Sequence, residues 1–214
     1  MSIKIAPSIL AADFGNLSRD CKLIDKSSAD WFHLDIMDGV FVPNISFGMS
    51  IVKTIRKLTK KPLDVHLMIS KPERYIDEFI EIGSNILTVH IEATTEMDLI
   101  INKVHKSSIK CGIAINPDTP INKLKNYINK VDLICLMGVH AGFGGQKFIE
   151  ETFVRLEELK NLINSSNSSA IIEIDGGVNE NNSKKLKSLG ANILVAGSYI
   201  FKSTDYNSAI DLLR

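Results

Sequence analysis

The stretch WFHLDIMDG, residues 31–39, carries side chains that bind metals or transfer protons inside an otherwise apolar strand pattern. Alternation along a strand divides its side chains between two faces, with Phe32, Leu34 and Ile36 on one and His33, Asp35 and Met37 on the other. The imidazole and the carboxylate would lie about 7 Å apart along the strand, so their ends could share one ligand. A half-exposed surface strand would give the same pattern, and this stretch alone does not distinguish the two interpretations.

Two further segments place ligand-type side chains on apolar runs. LDVHLMI (63–69) would put Asp64, His66 and Met68 on one face, and AIIEIDG (170–176) carries Asp175 at its end. Two imidazoles and two carboxylates suit a divalent transition metal, with zinc and iron(II) the natural candidates. The sequence therefore predicts a metal site made of His33, Asp35, His66 and Asp175.

Two other histidines receive different predictions. His90, in the run ILTVHIE (86–92), could also face this space, and we expect it to lie in the core or behind the ligands. His105 lies in a polar helical pattern, and we expect its side chain to be solvated.

Glycine-rich segments form a second group of candidates, for anion binding. They are HAGFGGQ (140–146), DGGV (175–178) and AGS (196–198), each directly after an apolar run. Any one could be an ordinary turn, but glycines also let backbone N–H groups converge on an anion. The three together predict a phosphate site, to which Ser198 can add a hydroxyl. Three methionines near strand ends could form an apolar collar around the ligand or simply fill the core: Met37, Met68 and Met137.

These candidates must be positioned by the elements around them, which alternate regularly between strand and helix patterns. The β-rich runs are residues 4–10, 31–37, 63–69, 86–92, 110–116, 131–139, 170–176 and 193–198. Between them lie amphipathic stretches such as 148–163, and Gly83 and Gly190 stand where helix C-caps are needed. The alternation predicts an α/β fold, a closed (β/α)8 TIM barrel of one domain spanning residues 1–214, rather than an open doubly wound sheet. The candidates fall where such barrels carry reactive groups, at the carboxyl ends of the strands.

Composition narrows the classes of partner and compartment. The chain has 214 residues, 44% of them hydrophobic, which is enough for a sizeable core. Lys plus Arg and Asp plus Glu each number 25, and without a basic stripe we expect no nucleic-acid partner. Cys21, Cys111 and Cys135 show no CxxC spacing and are expected to be buried free thiols. The sequence opens without a leader pattern, so we expect a cytoplasmic protein that does not contact a membrane.

The chain resembles the ribulose-phosphate 3-epimerases over essentially its whole length. The resemblance rests on the segments APSILAADF (6–14), HLDIMDGVFVPNISFG (33–48), PLDVHLMI (62–69), GFGGQKFI (142–149), EIDGGV (173–178) and LVAGS (194–198). Together they carry the family's metal ligands, catalytic acids and phosphate loops in the same chain order, which makes the resemblance specific. It implies a barrel of the ribulose-phosphate-binding type.

The resemblance also implies roles for individual residues. His33, Asp35, His66 and Asp175 would hold the metal, and the two aspartates would also be the pair that transfers protons. Substrate and phosphate contacts would come from Ser8, His66, Gly142, Phe143, Gly144, Gly145, Asp175, Gly176, Gly177, Gly197 and Ser198. Asp38 is assigned to bracing its loop. The implied cofactor is one divalent metal per chain, zinc first, with iron(II), manganese or cobalt as alternatives.

The reaction implied by the resemblance is the epimerisation of D-ribulose 5-phosphate to D-xylulose 5-phosphate in the pentose phosphate pathway. One aspartate would remove the proton at C3 to give an enediolate, and the other would supply a proton to the opposite face. The partner is therefore expected to be a small phosphorylated ketose, and the chain is expected to form a homo-oligomer.

One segment departs from the family pattern. Where the family usually reads MSVNPGFGGQ or MTVEPGFGGQ, this chain reads MGVHAGFGGQ (137–146), with Gly138, His140 and Ala141 at altered positions. The departure leaves open the choice between pentulose and hexulose phosphates, so a D-allulose-6-phosphate 3-epimerase is the nearest alternative. His140 could lie near the site without being a ligand. A sugar-phosphate lyase is disfavoured because DIMDG lacks the lysine of a DxKxxD motif, and a non-catalytic sugar-phosphate-binding barrel would not need the complete His and Asp set.

Overall fold

The predicted apolar runs all form β-strands in the computed structural model, which describes residues 3–214. They are β1 (Lys4–Pro7), β2 (Phe32–Met37), β3 (Leu63–Met68), β4 (Ile86–His90), β5 (Lys110–Ile115), β6 (Leu133–Met137), β7 (Ile171–Asp175) and β8 (Ile193–Ala196). Neighbouring strands pair in parallel in the order β1-β8-β7-β6-β5-β4-β3-β2. This arrangement confirms the predicted (β/α)8 barrel.

The barrel closes at a seam between β1 and β2. The N–H groups of Asp30 and Trp31 both donate to the carbonyl of Ile5, over 2.9 and 3.4 Å. One residue beyond β1, Ser8 forms an isolated parallel bridge with His33. The seam is therefore held by a few individual contacts in place of a continuous ladder, and its upper end lies at two of the candidate site residues.

Helices cover the outside of the barrel. They are α1 (Leu17–Lys26), α2 (Met49–Leu58), α3 (Ile76–Ile82), α4 (Met97–Lys106), α5 (Thr152–Ser165), α6 (Glu180–Ser188), α7 (Ser198–Phe201) and α8 (Tyr206–Leu212). Gly83 and Gly190 follow α3 and α6 with φ of 97° and 108°, the left-handed conformation predicted for helix C-caps. Within residues 3–214, none of these helices has the length and apolar character needed to cross a membrane.

The crossover between β5 and β6 differs from the others. It contains a 3-10 helix, Ile121–Asn126, where the βα repeat predicts an α-helix. Pro117 and Pro120 lie at its start, and proline both lacks an N–H donor and restricts the residue before it. These prolines hold the first part of the crossover in a turn, and the segment that remains before β6 is short.

Several strands are shorter than their apolar runs predict. The run 4–10 ends as a strand at Pro7, because a 3-10 helix over Ile9–Ala11 takes the following residues. The run 131–139 is a strand only over Leu133–Met137, and the run 193–198 only over Ile193–Ala196, before Gly197 and α7. Apolar residues at strand ends continue the burial of the core without continuing the ladder.

Apolar packing occurs both inside the barrel and between the barrel and its helices. The inner cluster contains Ala6, Trp31, Ile86, Ala114, Leu133, Cys135, Met137, Ile193 and Val195. The outer cluster includes Phe32, Leu34 and Ile36, which belong to the apolar face predicted for β2. Every residue of β2 is buried, so the half-exposed surface strand is excluded. Strands of a parallel barrel are covered on both faces, and His33 and Asp35 therefore point into the interior.

The three cysteines are buried free thiols, as predicted. Burial raises the pKa of Cys21 to about 11 and that of Cys111 to about 12. Burial also raises the pKa of Cys135, which lies inside the barrel, well above its ordinary value. At neutral pH these groups remain protonated thiols.

Close packing inside the barrel predicts a large effect of a very small substitution at Gly112. A Cβ added to Gly112 would overlap the hydroxyl of Thr88 on the neighbouring strand and would meet Leu133 at 3.0 Å. We expect Gly112→Ala to lower the free energy of unfolding by about 1–3 kcal/mol, as overpacked cores generally do. Urea unfolding followed by circular dichroism measures the change.

The control for this prediction is Thr88→Ala. The Thr88 hydroxyl is buried without a hydrogen-bond partner among residues 3–214, so the cost of Thr88→Ala should come mainly from its buried methyl group, about 1 kcal/mol. The double variant should recover much of the stability lost in Gly112→Ala. Additive losses in the double variant would contradict the steric explanation.

Candidate active site

Four side chains predicted as ligands meet inside the barrel at the carboxyl end of its strands. His33 and Asp35 lie on β2, His66 lies on β3, and Asp175 is the last residue of β7. The pairing register sets Asp35 beside His66, so the two side chains enter the interior at the same height. All four are buried, and one donor atom of each lies within 4.8 Å of the other three. We refer to these four residues as the quartet.

The donor atoms of the quartet are spaced like the ligands of one metal ion. Nε2 of His33 lies 3.2 Å from Oδ1 of Asp35 and 3.7 Å from Oδ2 of Asp175. Nδ1 of His66 lies 3.1 Å and 3.4 Å from the same two oxygens. Ligands bound at ~2.0–2.1 Å to a tetrahedral ion stand ~3.4 Å apart. The quartet can therefore hold a divalent metal ion.

Charge within the quartet also suits a cation. Burial acts to raise the pKa of Asp35, but the charge of His33 and hydrogen bonds from both histidines outweigh it and lower the pKa below its ordinary value. Burial and the charge of Asp35 act to raise the pKa of Asp175, and hydrogen bonds from His33 and His66 again lower it overall. Both carboxylates are therefore ionised at neutral pH.

A second pair of carboxyl groups supports the quartet from deeper in the barrel. Nδ1 of His33 donates a hydrogen bond of 2.6 Å to Oδ2 of Asp64, and Glu173 lies 3.9 Å from the same nitrogen. These three residues also cluster closely enough to suggest a metal. However, 2.6 Å is a hydrogen-bond length, shorter than the ~3.4 Å that separates two ligands of a tetrahedral ion. Asp64 therefore supports the quartet through its hydrogen bond with His33, and Glu173 lies beside that contact.

Glu173 is held in its neutral form by this environment. Burial, followed by the charge of Asp64, raises the pKa of Glu173 well above its ordinary value. Neither carboxyl oxygen of Glu173 has a hydrogen-bond partner among residues 3–214, and an ionised carboxylate without partners would be costly to bury.

His90 lies behind His66, as expected. The two rings stack with centroids 4.9 Å apart, and their Nε2 atoms are 2.9 Å apart. Nδ1 of His90 lies 3.1 Å from Oε2 of Glu92. Burial lowers the pKa of His90 to about 4, so its ring is neutral at neutral pH. His105, by contrast, is partly exposed and pairs with Asp132.

A cavity of about 480 Å³ adjoins the quartet and has Asp35 and Asp175 in its wall. Its volume lies within the range of small-molecule sites, roughly 300–1,000 Å³. The wall also contains the other predicted site residues: Ser8, Met37, Met68, Met137, Gly142, Phe143, Gly144, Gly145, Gly176, Gly177, Gly197 and Ser198. His33 and His66 are fully buried beneath it. The structure thus brings the predicted ligands, methionines and glycine loops to one place.

Ser8 and Asp35 are directly connected. The Ser8 hydroxyl donates to Oδ2 of Asp35 over 2.5 Å, while Oδ1 of the same carboxylate faces His33 and His66. The two oxygens of Asp35 therefore have different surroundings, one at the quartet and one at Ser8.

The loop after β2 is tied to its neighbours. Asp38 accepts hydrogen bonds from two N–H groups of its own loop and, over 2.8 Å, from the N–H of Ser70, which is the bracing role expected for it. Asn44 donates to the carbonyl of Gly142 over 2.8 Å. This second contact joins the loop after β2 to the glycine loop after β6.

The segment that departs from the family pattern has its own contacts. The N–H of Ala141 donates to Oδ1 of Asn116 over 3.1 Å, a bond that a proline at this position could not make. Gly138 packs so closely on the carbonyl of Gly176 that a Cβ would overlap it. His140 lines the cavity but is half exposed and lies outside the quartet, as expected.

Sequence patterns missed four polar residues of this region as functional candidates: Asp64, Glu92, Asn116 and Glu173. Two of them carried a local signal. Asp64 precedes His66 by two residues and Glu173 precedes Asp175 by two, so each shares a strand face with a quartet residue. Glu92 and Asn116 lie just beyond β4 and β5, where only the closed barrel brings them near His90.

Comparison with known families agrees with this geometry. A model described as the Ribulose-phosphate 3 epimerase family matches residues 4–201. The ribulose-phosphate 3-epimerase of Bacillus subtilis is 43% identical over 213 residues, which cover 99% of this chain and 98% of the relative. The protein of the same name from Escherichia coli is 39% identical, over 98% of this chain and 94% of the relative.

Solved structures match the fold over nearly the whole chain. KGPDC from Streptococcus mutans has a TM-score of 0.75 and 10% identity, covering 100% of this chain and 96% of the neighbour. A mutant tryptophan synthase α-subunit from Pyrococcus furiosus has a TM-score of 0.73 and 16% identity, covering 99% and 96%. At such low identity the likeness shows the barrel fold alone.

The neutral form of Glu173 predicts a pH-dependent effect of Glu173→Gln. The pKa of Glu173 is higher in the folded protein than in the unfolded chain, where it is about 4.3. The stability contributed by the neutral carboxyl is therefore present at low pH and is lost as pH rises above the unfolded value. Glutamine does not titrate, so the stability of metal-free Glu173→Gln relative to wild type should increase from pH 5 to pH 8, by up to about 1.4 kcal/mol per pH unit.

Urea unfolding of chelator-treated wild type and variant across this pH range measures the difference. Asp211→Asn removes a carboxylate from an exposed position and serves as the control. Parallel stability curves for wild type and Glu173→Gln would contradict a neutral Glu173.

Proposed function

Because the chain belongs to the ribulose-phosphate 3 epimerase family, we propose that it interconverts D-ribulose 5-phosphate and D-xylulose 5-phosphate by metal-dependent proton transfer at C3. The substrate is a small phosphorylated ketose, and the reaction is a step of the pentose phosphate pathway. The observation that carries the proposal is the convergence of two ionised aspartates in the wall of one cavity with two histidines buried directly beneath it.

The two aspartates supply the proton transfer. Epimerisation needs a base on one face of a planar intermediate and an acid on the other. Asp35 on β2 and Asp175 on β7 enter the interior from separate parts of the barrel wall, so they can approach a ligand from opposite sides. General acid–base catalysis of this kind typically contributes about 10²- to 10⁴-fold in rate.

Ser8 orients one of these groups. Its hydroxyl donates to Oδ2 of Asp35, which leaves Oδ1 at the quartet. A carboxylate held at both oxygens has a fixed direction, and the position of its proton relative to the substrate is fixed with it.

The quartet would hold the cofactor, one divalent metal per chain. Zinc suits two nitrogen and two oxygen donors, and iron(II), manganese and cobalt are alternatives. When bound, such an ion supplies a Lewis acid that stabilises negative charge developing on the substrate oxygens. An aspartate with a pKa near 4 is a weak base, so this stabilisation is needed for the reaction at neutral pH.

The glycine loops provide the phosphate site. Gly144, Gly177, Gly197 and Ser198 line the same cavity as the aspartates. Gly177 has a φ of 69°, and a Cβ there would overlap the backbone of Phe148. Only glycine fits at this turn, which lets the backbone after β7 approach closely enough for its N–H groups to bind an anion.

The nearest alternative substrate is D-allulose 6-phosphate. Ala141 and His140 replace residues that are usual in the family and line the cavity, so this part of the wall is specific to the chain. A lyase remains disfavoured by the missing lysine in DIMDG, and a non-catalytic binder by the complete quartet.

The first test of the proposed function asks whether the protein contains a divalent metal and needs it for epimerisation. We expect purified protein to contain one divalent metal per chain by elemental analysis. Chelation should abolish conversion of D-ribulose 5-phosphate to D-xylulose 5-phosphate, and return of the metal should restore it. Full activity in demonstrably metal-free protein would contradict the proposal.

Substrate preference is measured in the same preparation. The value of kcat/KM for D-ribulose 5-phosphate should exceed those for D-allulose 6-phosphate and for unphosphorylated D-ribulose. A higher value for D-allulose 6-phosphate would replace the pentulose assignment, and equal turnover of D-ribulose would contradict a phosphate site at the glycine loops.

Proton transfer by two aspartates predicts a particular isotope pattern. If Asp35 and Asp175 each serve one face, the acid that reprotonates C3 is not the group that removed the first proton, and it exchanges with solvent between turnovers. Reaction in D₂O to low conversion should therefore give epimer labelled at C3, while unreacted substrate gains deuterium more slowly. Mass spectrometry or NMR of the two sugars measures the label.

The isotope experiment leaves the site intact, whereas Asp35→Asn or Asp175→Asn would remove a ligand and a proton carrier together. Extensive transfer of the substrate's own C3 hydrogen into the product would show that a single shielded base carries out both steps.

A further inference from the structure

We propose that Glu92 and His90 form a relay that positions His66 for metal binding by fixing which of its ring nitrogens carries the proton. The inference rests on the proposed function, since it concerns the metal centre of that site. Both residues lie outside the quartet and act only through His66, so they are positioning residues.

The contacts run in one line from the quartet to a carboxylate. Nδ1 of His66 faces the quartet, 3.1 Å from Oδ1 of Asp35. Nε2 of His66 lies 2.9 Å from Nε2 of His90, and Nδ1 of His90 lies 3.1 Å from Oε2 of Glu92. Each step is short enough for one hydrogen bond.

A carboxylate at one end determines the direction of every hydrogen bond in this line. An ionised carboxylate only accepts, so Nδ1 of His90 must carry the proton that it donates to Glu92. Nε2 of the neutral His90 is then an acceptor, and Nε2–H of His66 donates to it. When His66 carries a single proton, as a metal ligand must, that proton is thereby held on Nε2, and the lone pair of Nδ1 is directed into the quartet.

One neighbouring group favours the opposite arrangement. The side-chain amide of Asn116 lies 3.3 Å from Nδ1 of His90 and could donate to it if that nitrogen were unprotonated. This contact is longer than the 3.1 Å to Glu92, and hydrogen bonds to an ionised acceptor are roughly twice as strong as neutral ones. Nδ1 of His90 therefore carries the proton and donates it to the Glu92 carboxylate.

The relay is itself held in place. Oε1 of Glu92 accepts a hydrogen bond of 2.9 Å from the backbone N–H of Asn116, which fixes the carboxylate. The His90 ring is fully buried between His66 and Phe41, whose ring centroid lies 5.0 Å away. Neither ring can turn without losing this packing.

The same chemistry is present at the other histidine of the quartet. There Asp64 accepts directly from Nδ1 of His33, which leaves Nε2 for the metal. Both histidines thus have a carboxylate behind them, and the longer distance behind His66 is spanned by a second imidazole. Loss of such outer partners typically weakens metal binding by about 10- to 100-fold.

The test measures zinc affinity, with zinc alone as the probe. Metal-stripped protein is titrated in competition with a chelator for wild type, Glu92→Gln, His90→Phe and Glu96→Gln. We expect the first two substitutions to weaken zinc binding by about 10- to 100-fold. Glu96→Gln makes the same chemical change at an exposed position of the same loop and should leave the affinity unchanged.

The tautomers are read directly by ¹⁵N NMR of the zinc-bound wild type, so the test does not depend on how well a variant folds. A proton on Nε2 of His66 and on Nδ1 of His90 is the expected result. A proton on Nε2 of His90 would overturn the relay. Zinc affinity that is equally tight in wild type and Glu92→Gln would overturn the relay alone. Failure of the wild type to bind zinc would overturn both the metal centre and the relay.

Discussion

Compensation of buried charge is the constraint on which the rest of this structure depends. Among residues 3–214, the barrel interior holds seven histidine and carboxyl side chains with little or no exposed surface: His33, Asp35, Asp64, His66, His90, Glu173 and Asp175. An unpaired charge in such a place costs several kcal/mol, so each group must be paired or kept neutral. The barrel meets this requirement because alternate side chains of all its strands project into one small space.

The compensation is arranged in layers with different tasks. Nearest the cavity, Asp35 and Asp175 remain ionised beside His33 and His66, and these carboxylates raise the pKa values of both histidines despite their burial. Behind them, Asp64 accepts from His33 and a neutral Glu173 avoids adding a further charge. The layer nearest the cavity can hold an acid and a base in place because the groups behind it fix the orientation of the quartet side chains. A site of this kind is precise only when its supports are rigid.

Local patterns were sufficient to predict the residues that face the cavity. The period of two places His33 and Asp35 on one face, and the glycines after Asp175 mark the carboxyl end of β7. Partners from distant strands could not be predicted in this way, because Asp64 meets His33 only through the register of β3 against β2. The 3-10 helix in the crossover between β5 and β6 was also beyond prediction, since the βα repeat carries no information about how two prolines limit one segment.

The seam between β1 and β2 lies next to the active site and shares a residue, Ser8, with it. Ser8, one residue beyond β1, bridges to His33 through its backbone and donates to Asp35 through its hydroxyl, so one residue contributes both to the seam and to the site. A ligand that needs Asp35 in the orientation set by Ser8 would favour the closed seam by mass action. Local opening of the sheet at Ser8 and release of a ligand held at Asp35 are therefore thermodynamically coupled.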